Sequence, residues 1–373
     1  MARLTAVVGH APAPSDCFNS GNGNQQFFDA EKENRSNRPS VVNLAHRTDS
    51  TMQNEPRIID ARTAADLLPF ETLIERLRRA YADGCHVPER HHHRVSMENE
   101  TEATLLLMPA WSKQQGGADR YLGVKLVNVF PDNAQIAQPG LYSTYILSDG
   151  KTGAPLAFID GNVITSRRTV AASALAADYL ARKDADTLLV IGSGRVASLL
   201  PYAYAAVRKF GKVLIWDIHE QGAKMLAQKL VADGFNAEAV NALEPAVRQA
   251  DVITSATLSS QPLVLGDWVK PGTHVDLIGA FTPRMRESDG ALLQKASIFI
   301  DTEEAMIEGG DIVAAVKEGF IDRDSIKGTL QQLCSGTVKG RHSNIAISCF
   351  KAVGTALADL SAASLVYETM PAR

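Results

Sequence analysis

Thr187-Leu-Leu-Val-Ile-Gly-Ser-Gly-Arg-Val-Ala197 reads as strand, glycine turn and helix. An apolar run rich in branched residues stops at Gly192 and resumes as a helical pattern from Val196. That order is the first βα turn of a dinucleotide-binding unit, in its G-x-G-x-x-A form. Gly192 allows the tight turn, Gly194 lets backbone approach a pyrophosphate, and Ala197 lets the helix pack close to the strand. The backbone from Gly192 through Ser193, Gly194, Arg195 and Val196 then presents free N–H groups to the phosphates. A second strand, Val213-Leu-Ile-Trp-Asp217, ends in an acid. An acid there accepts hydrogen bonds from the adenosine ribose and repels a 2′-phosphate, which favours NADH over NADPH. His219 nearby softens that preference. Ser255 and Thr257, after a later strand, and Gly279 are expected to line the same cleft.

Outward from this turn, strands are expected at 187–191, 213–217, 237–240, 251–255, 274–279 and 297–301, alternating with helices. This is the pattern of an α/β fold with a Rossmann-type doubly wound sheet, assigned to residues 183–342. Upstream the pattern differs. Phe70, Leu73, Ile74, Leu77 and Ala80 repeat at helical spacing, and Gly84 can end that helix. Strands are expected at Arg90 to Met97, Thr104 to Met108, Tyr121 to Val129, Gly140 to Leu147 and Pro155 to Ile159, forming a mostly antiparallel sheet. An Ala-rich helix from Ser166 to Ala181 leads into the glycine motif. After about residue 340 the pattern reads as helical, through Ile345 to Tyr367. Residues 56–182 and 343–373 thus form a separate α+β domain, completed by the C-terminal helix. Residues 1–55 are polar and aperiodic and read as disordered, with Met52 a candidate start codon.

The 373 residues carry a formal net charge of −4, with 45 % hydrophobic and 21 % charged residues. This argues against nucleic acid or an anionic membrane as the partner. No run reaches the roughly 18 apolar residues of a membrane span. Cys17, Cys85, Cys334 and Cys349 lack metal-like spacing and suggest reduced thiols in the cytoplasm.

Three features carry chemistry. Lys125 sits in Gly123-Val-Lys-Leu-Val-Asn-Val-Phe130, a strand apolar on both faces, so it must shed water unless an anion pairs with it. It is read as a buried cation facing a substrate, against the alternative of a lysine snorkelling at a strand edge. Arg167 and Arg168 follow Thr165 and Ser166, a plausible N-cap. That would put two cations in a helix's first turn, where the dipole disfavours them unless an anion binds. Arg90 offers a planar fork for a carboxylate. His91 and His93 share a strand face while His92 points away, so no metal site is expected.

These residues are carried by a wider resemblance. From about Ile58 to the C-terminus the chain resembles the ornithine cyclodeaminase and mu-crystallin family. The match lies in Gly123-Val-Lys-Leu-Val-Asn-Val-Phe-Pro131, Gly153-Ala-Pro-Leu-Ala-Phe-Ile-Asp-Gly161 and Thr165-Ser-Arg-Arg-Thr-Val-Ala-Ala-Ser173. The glycine motif, Gly340-Arg-His-Ser343 and Val353-Gly-Thr-Ala-Leu-Ala-Asp-Leu360 extend it. The resemblance implies a homodimer whose first domain forms the interface and holds the substrate. It also implies that Arg90, Lys125 and Arg168 bind the substrate carboxylate and its neighbourhood.

The chain departs from the family's cyclodeaminases in one place. There a glycine pair is followed by an aspartate that assists deamination; here the segment is Ile278-Gly-Ala-Phe-Thr-Pro-Arg-Met-Arg-Glu287, with Phe281 in the acid's place. Phenylalanine neither takes a proton nor pairs with an ammonium. This form looks like the branch that reduces cyclic imino acids, Δ1-pyrroline-2-carboxylate to L-proline and Δ1-piperideine-2-carboxylate to L-pipecolate. Phe281 is then expected to pack against the substrate ring, Lys125 to be the catalytic residue, and NADH or NADPH to be the cofactor. An amino-acid cyclodeaminase or alanine-type dehydrogenase would need a substitute acid, for which Asp276 and Glu287 look poorly placed. A mu-crystallin-like ligand-binding protein is the alternative of another class.

Overall fold

The computed structural model describes residues 55–96, 101–113 and 120–371. The expectations for the N-terminal segment, including Met52 and Cys17, and for Met97 lie outside them. The chain opens with β1 (Arg57–Ile59), α1 (Ala61–Asp66) and α2 (Phe70–Asp83), then β2 (His91–Val95), β3 (Ala103–Trp111), β4 (Tyr121–Val129), β5 (Leu141–Asp149) and β6 (Pro155–Asp160). The sheet runs β1-β6-β5-β4-β3-β2; β1 pairs parallel with β6 and every other pair is antiparallel. α2 buries Phe70, Leu73, Ile74, Leu77 and Tyr81 as one stripe. It ends at Gly84, whose φ of +69° suits glycine. Truncating a fully buried residue of that stripe, Leu77→Ala, would cost about 2–5 kcal/mol.

α3 (Gly161–Leu180) follows β6 without a loop, because the Asp160 carboxylate accepts the Val163 N–H at 2.8 Å and caps the helix. The helix therefore starts well before Ser166. Thr165 and Ser166 are interior, and Arg167 and Arg168 stand beyond the first turn, so the helix dipole says nothing about what they bind. α3 is apolar on nearly all sides, as befits a helix packed between two sheets. Ser173 on it reaches β11 of the second sheet, donating to Asp276 at 3.1 Å.

The second sheet comprises β7 (Thr187–Ile191), β8 (Lys212–Trp216), β9 (Ala237–Ala239), β10 (Val252–Ser255), β11 (His274–Leu277), β12 (Ala296–Ile300), β13 (Ile326–Thr329) and β14 (Ile347–Lys351). Between them lie α4 (Leu200–Ala205), α5 (Glu220–Ala232), α6 (Leu243–Gln249), α7 (Gly290–Lys295), α8 (Ala305–Glu308), α9 (Gly310–Lys317) and α10 (Leu330–Cys334). All pairs are parallel, in the order β13-β12-β14-β11-β10-β7-β8-β9. The strand order reverses between β7 and β10, which puts the ligand crevice at their carboxyl ends.

β14 corrects the sequence reading. Ile347–Lys351 is not helical; it is a strand buried along its length and wedged between β11 and β12, inside the span expected to be a helical return. The chain then leaves this sheet and α11 (Ala356–Thr369) packs against β3, β4, β5, α2 and α3. Among the described residues no helix is long and apolar enough to cross a membrane.

Candidate active site

β4 alternates cleanly. Tyr121, Gly123, Lys125 and Val127 point inward beneath α11, while Leu122, Val124 and Leu126 point to the other face. On that other face Leu122 is 43 % exposed and Val124 and Leu126 are half-buried, so among the described residues the strand is not buried on both sides as expected. Lys125 itself is buried, at 2 % exposure. Its Nζ lies 2.7 Å from Oδ2 of Asp359 on α11, and Nε of Arg168 lies 2.7 Å from Oδ1 of the same carboxylate. One buried acid thus answers two buried cations. Burial pushes the Lys125 ammonium down to about 8; Asp359 resists this, and Arg168 and Arg90 add to it. Burial would raise the Asp359 carboxyl, but Arg168 and Lys125 outweigh it and hold the group below its usual range.

Arg90 joins the cluster through the turn that precedes α11. Its Nη2 donates to the Gly354 carbonyl at 2.7 Å, and its Nη1 pairs with Glu308 at 2.9 Å. Gly354 has a φ of +87°, and a Cβ there would stand 2.7 Å from both Arg168 Nη atoms. Arg90 and Arg168 therefore converge on one glycine, while Lys125 and Arg168 converge on one carboxylate. The Asp301 carboxylate, just past β12, accepts the Gly354 N–H at 2.6 Å and fixes this turn to the second sheet. A narrow cleft beside Arg90 is lined by Val87, Pro88, Met108, Glu304 and Thr355.

Arg167 has a structural job instead. It donates to the Leu68 carbonyl at 2.8 Å and lies 4.4 Å over the Phe70 ring. His91 and His93 are exposed, and His92 stands 3.7 Å from Glu308. A cavity of about 610 Å³ opens elsewhere, between α2 and α11. Its α11 wall is the stripe Leu357, Leu360, Ser361 and Ser364, which by helical spacing faces away from Asp359, so it does not belong to this cluster.

At the end of β7, Gly192 has a φ of +110° and a Cβ there would meet the Ala256 carbonyl at 2.9 Å. Nothing lies within 4 Å of where a Gly194 Cβ would stand, and Gly194 and Arg195 are exposed. The open backbone beside a left-handed glycine is the cradle a pyrophosphate needs, so the residues fit a dinucleotide. The helix that follows is less regular than expected. A single 3-10 turn, Ala197–Leu199, precedes the short α4, which carries Pro201 near its start. Ser193 donates to Asp217 Oδ2 at 2.7 Å, and the other oxygen accepts the His219 N–H at 2.7 Å. This bond locks the acid beside the turn.

Ser255 corrects a further expectation. It is fully buried and its hydroxyl is donated inward to Glu287 at 2.6 Å, so its side chain does not face the cleft. Thr257 and Gly279 are tied to the same acid. Phe281 is 44 % exposed at the end of the β11 loop, and among the described residues no bond or ring contact joins it to Arg90, Lys125 or Arg168.

A family model for the ornithine cyclodeaminase/mu-crystallin family matches residues 59–373. The chain belongs to that family. As a family member it is 35 % identical to a Δ1-pyrroline-2-carboxylate reductase of Paracoccus denitrificans, over 84 % of this chain and 97 % of the relative. Its fold is similar to that of Thermococcus litoralis Δ1-pyrroline-2-carboxylate reductase in complex with NADH and L-proline. That match has a TM-score of 0.78 and 33 % identity, and covers 84 % of this chain and 96 % of the other. It is also similar to an archaeal alanine dehydrogenase dimer with bound NAD, with a TM-score of 0.76 and 31 % identity over 84 % and 95 % of the two chains. The acids of the cluster are what sequence reasoning misses: Asp359 and Glu308 carry no assigned role there, and Glu287 enters only as a poorly placed substitute acid. Asp359 had a readable signal. It is the one charge in Ala356-Leu-Ala-Asp-Leu-Ser-Ala-Ala-Ser-Leu-Val366, a run too apolar to expose any face.

Proposed function

We propose that this protein is an NAD(P)H-dependent reductase of cyclic imino acids, converting Δ1-pyrroline-2-carboxylate to L-proline and Δ1-piperideine-2-carboxylate to L-pipecolate. The observation that carries the reading is the convergence of Arg90, Lys125 and Arg168 on Gly354 and Asp359, with no acid at position 281. The similarity to reductases of this type supports it. Arg90 and Arg168 orient the substrate carboxylate, and orientation is their main contribution. Arg90 exchanges its Glu308 partner for that carboxylate. When bound, a reduced nicotinamide supplies the hydride that C2 accepts. Lys125, charged below about pH 8, holds a proton where the imine nitrogen must take one, so C=N becomes CH–NH with one hydride and one proton. Neither step needs water attack, which is the chemistry an acid at 281 would assist. Phe281 packs against the substrate ring.

Gly192, Ser193, Gly194, Arg195 and Val196 hold the pyrophosphate. Asp217 holds the adenosine ribose and favours NADH over NADPH. The protein works as a homodimer built on the open face of the first sheet. Across that face Pro109, Val124, Ile146, Phe158 and Ile58 stand in one register row, and Ile58 is 87 % exposed. Its free thiols, Cys85, Cys334 and Cys349, fit the cytoplasm. The deciding experiment follows NADH and NADPH oxidation with Δ1-pyrroline-2-carboxylate, beside ammonia release from L-ornithine with NAD. Imine reduction without ammonia is expected; ammonia release without imine reduction would refute the reading.

A further inference from the structure

Glu287 is fully buried and takes no part in the steps above. Its Oε1 accepts the Ser255 hydroxyl at 2.6 Å, the Thr257 N–H at 2.8 Å and the Thr257 hydroxyl at 2.8 Å. Its Oε2 accepts the Gly279 N–H at 2.6 Å. One carboxylate thus binds the carboxyl ends of β10 and β11 together. The segment it holds is confined from both sides by glycines. The Ala256 carbonyl sits where a Cβ on Gly192 would press, and a Cβ on Gly279 would overlap the Thr257 carbonyl. Glu287 is in turn held by α9 and β14. Its own N–H and that of Ser288 donate to Asp311 Oδ1 at 2.7 and 2.8 Å, and Asp311 Oδ2 lies 3.0 Å from Lys351 Nζ.

We propose that Glu287 is a positioning residue for the cofactor: its ionised carboxylate fixes the Ser255–Thr257 strap that walls the dinucleotide cleft beside Gly192. The role rests on the nicotinamide reading proposed above. The charge matters because all four partners are donors. A neutral amide of the same shape would set an NH2 against either the Gly279 N–H or the Thr257 donors, leaving a buried donor unpaired. Burial and two charged neighbours bear on its ionisation. Burial raises the Glu287 carboxyl to about 7, Lys351 opposes the rise, and Asp311 adds to it. The strap is thus held tightest in the ionised form, above that range.

The test is NADH binding to the full chain, read by NADH fluorescence between pH 6 and 8, for the wild type, E287Q and T257V. E287Q should weaken NADH about tenfold or more at pH 8, and T257V, which removes one donor, about two- to fivefold. Wild-type affinity should fall as the pH drops from 8 to 6, and E287Q should lack that component; a merely structural glutamate would not move this difference. Variants within twofold of wild type, with the same pH response, overturn the role whatever their melting temperatures. If E287Q does not fold, T257V and the wild-type pH series decide: a flat wild-type response with unchanged T257V overturns it. A wild type that binds neither NADH nor NADPH overturns the cofactor reading and this role with it.

Discussion

Asp359→Asn tests whether one buried acid sets the charge of Lys125. In the wild type, Lys125 Nζ and Arg168 Nε each lie 2.7 Å from the carboxylate. The Lys125 ammonium already sits at about 8, with burial, Arg168 and Arg90 pulling it down and Asp359 holding it up. Removing an opposite charge at this range shifts a partner by roughly 1–3 pH units, so Lys125 in D359N should titrate between about pH 5 and 7. At pH 7.5 the protonated fraction then falls from about three quarters to about a quarter or less. The assay is the pH profile of kcat/KM for imine reduction. The wild type should lose activity as the pH rises through about 8, and D359N should lose it at lower pH and regain part of it on acidification. Titration of the substrate itself is common to both profiles, so the displacement of the limb is the readout. Stability should fall by about 3 kcal/mol, the low end for breaking a buried pair, because Lys125 can shed its proton although Arg168 cannot. A D359N limb that stays at the wild-type pH would refute the argument, even if the variant were less stable.

The other predictions are simpler. Lys125→Met keeps the stem's bulk and leaves Asp359 with Arg168, so kcat/KM should drop at least about 100-fold with little change in melting temperature; near-normal activity would make Lys125 structural. Asp217→Ser removes the acid that Ser193 and the His219 N–H hold in place, and should shift the kcat/KM ratio toward NADPH; an unchanged ratio would exclude Asp217 from cofactor choice. Ile146→Asp puts a charge in the middle of the apolar row on the open sheet face, and sedimentation should show monomers; an intact dimer would place the interface elsewhere.

The glycine turn, the strands flanking it and Lys125 are legible because each is a local signal: a period, a turn residue, or a charge in an apolar run; Arg168 is singled out by a first-turn position that it does not occupy, and Arg90 mainly by the family resemblance. The start of α3 is not legible because Asp160 both ends β6 and caps the helix, and a strand that runs straight into a helix leaves no loop to read. β14 was missed because a strand buried on both faces has no alternation, and Ser348 and Lys351 break its apolar run. Lys351 is tolerated there because Asp311 meets it, and that pairing spans too much sequence to be foreseen. Ser255 reads as a cleft residue because it ends β10, whereas the buried Glu287 draws its hydroxyl inward.

The acids explain why the two sheets act as one site. Asp301 at the end of β12 accepts the N–H groups of Val353 and Gly354, which follow β14, and thereby sets the turn from which α11 departs. That turn decides where Asp359 stands over Lys125, and its glycine, at a φ of +87°, leaves room for the Arg168 guanidinium. Arg90 binds the same glycine from the first sheet and Glu308 from the second. The position of the Arg90, Lys125 and Arg168 cluster is therefore fixed by the strand order of the second sheet. A β14 placed at the sheet edge would carry α11, and with it Asp359, away from Lys125. The C-terminal return through β14 and α11 is thus part of this cluster's geometry, not a closing strap on a finished fold.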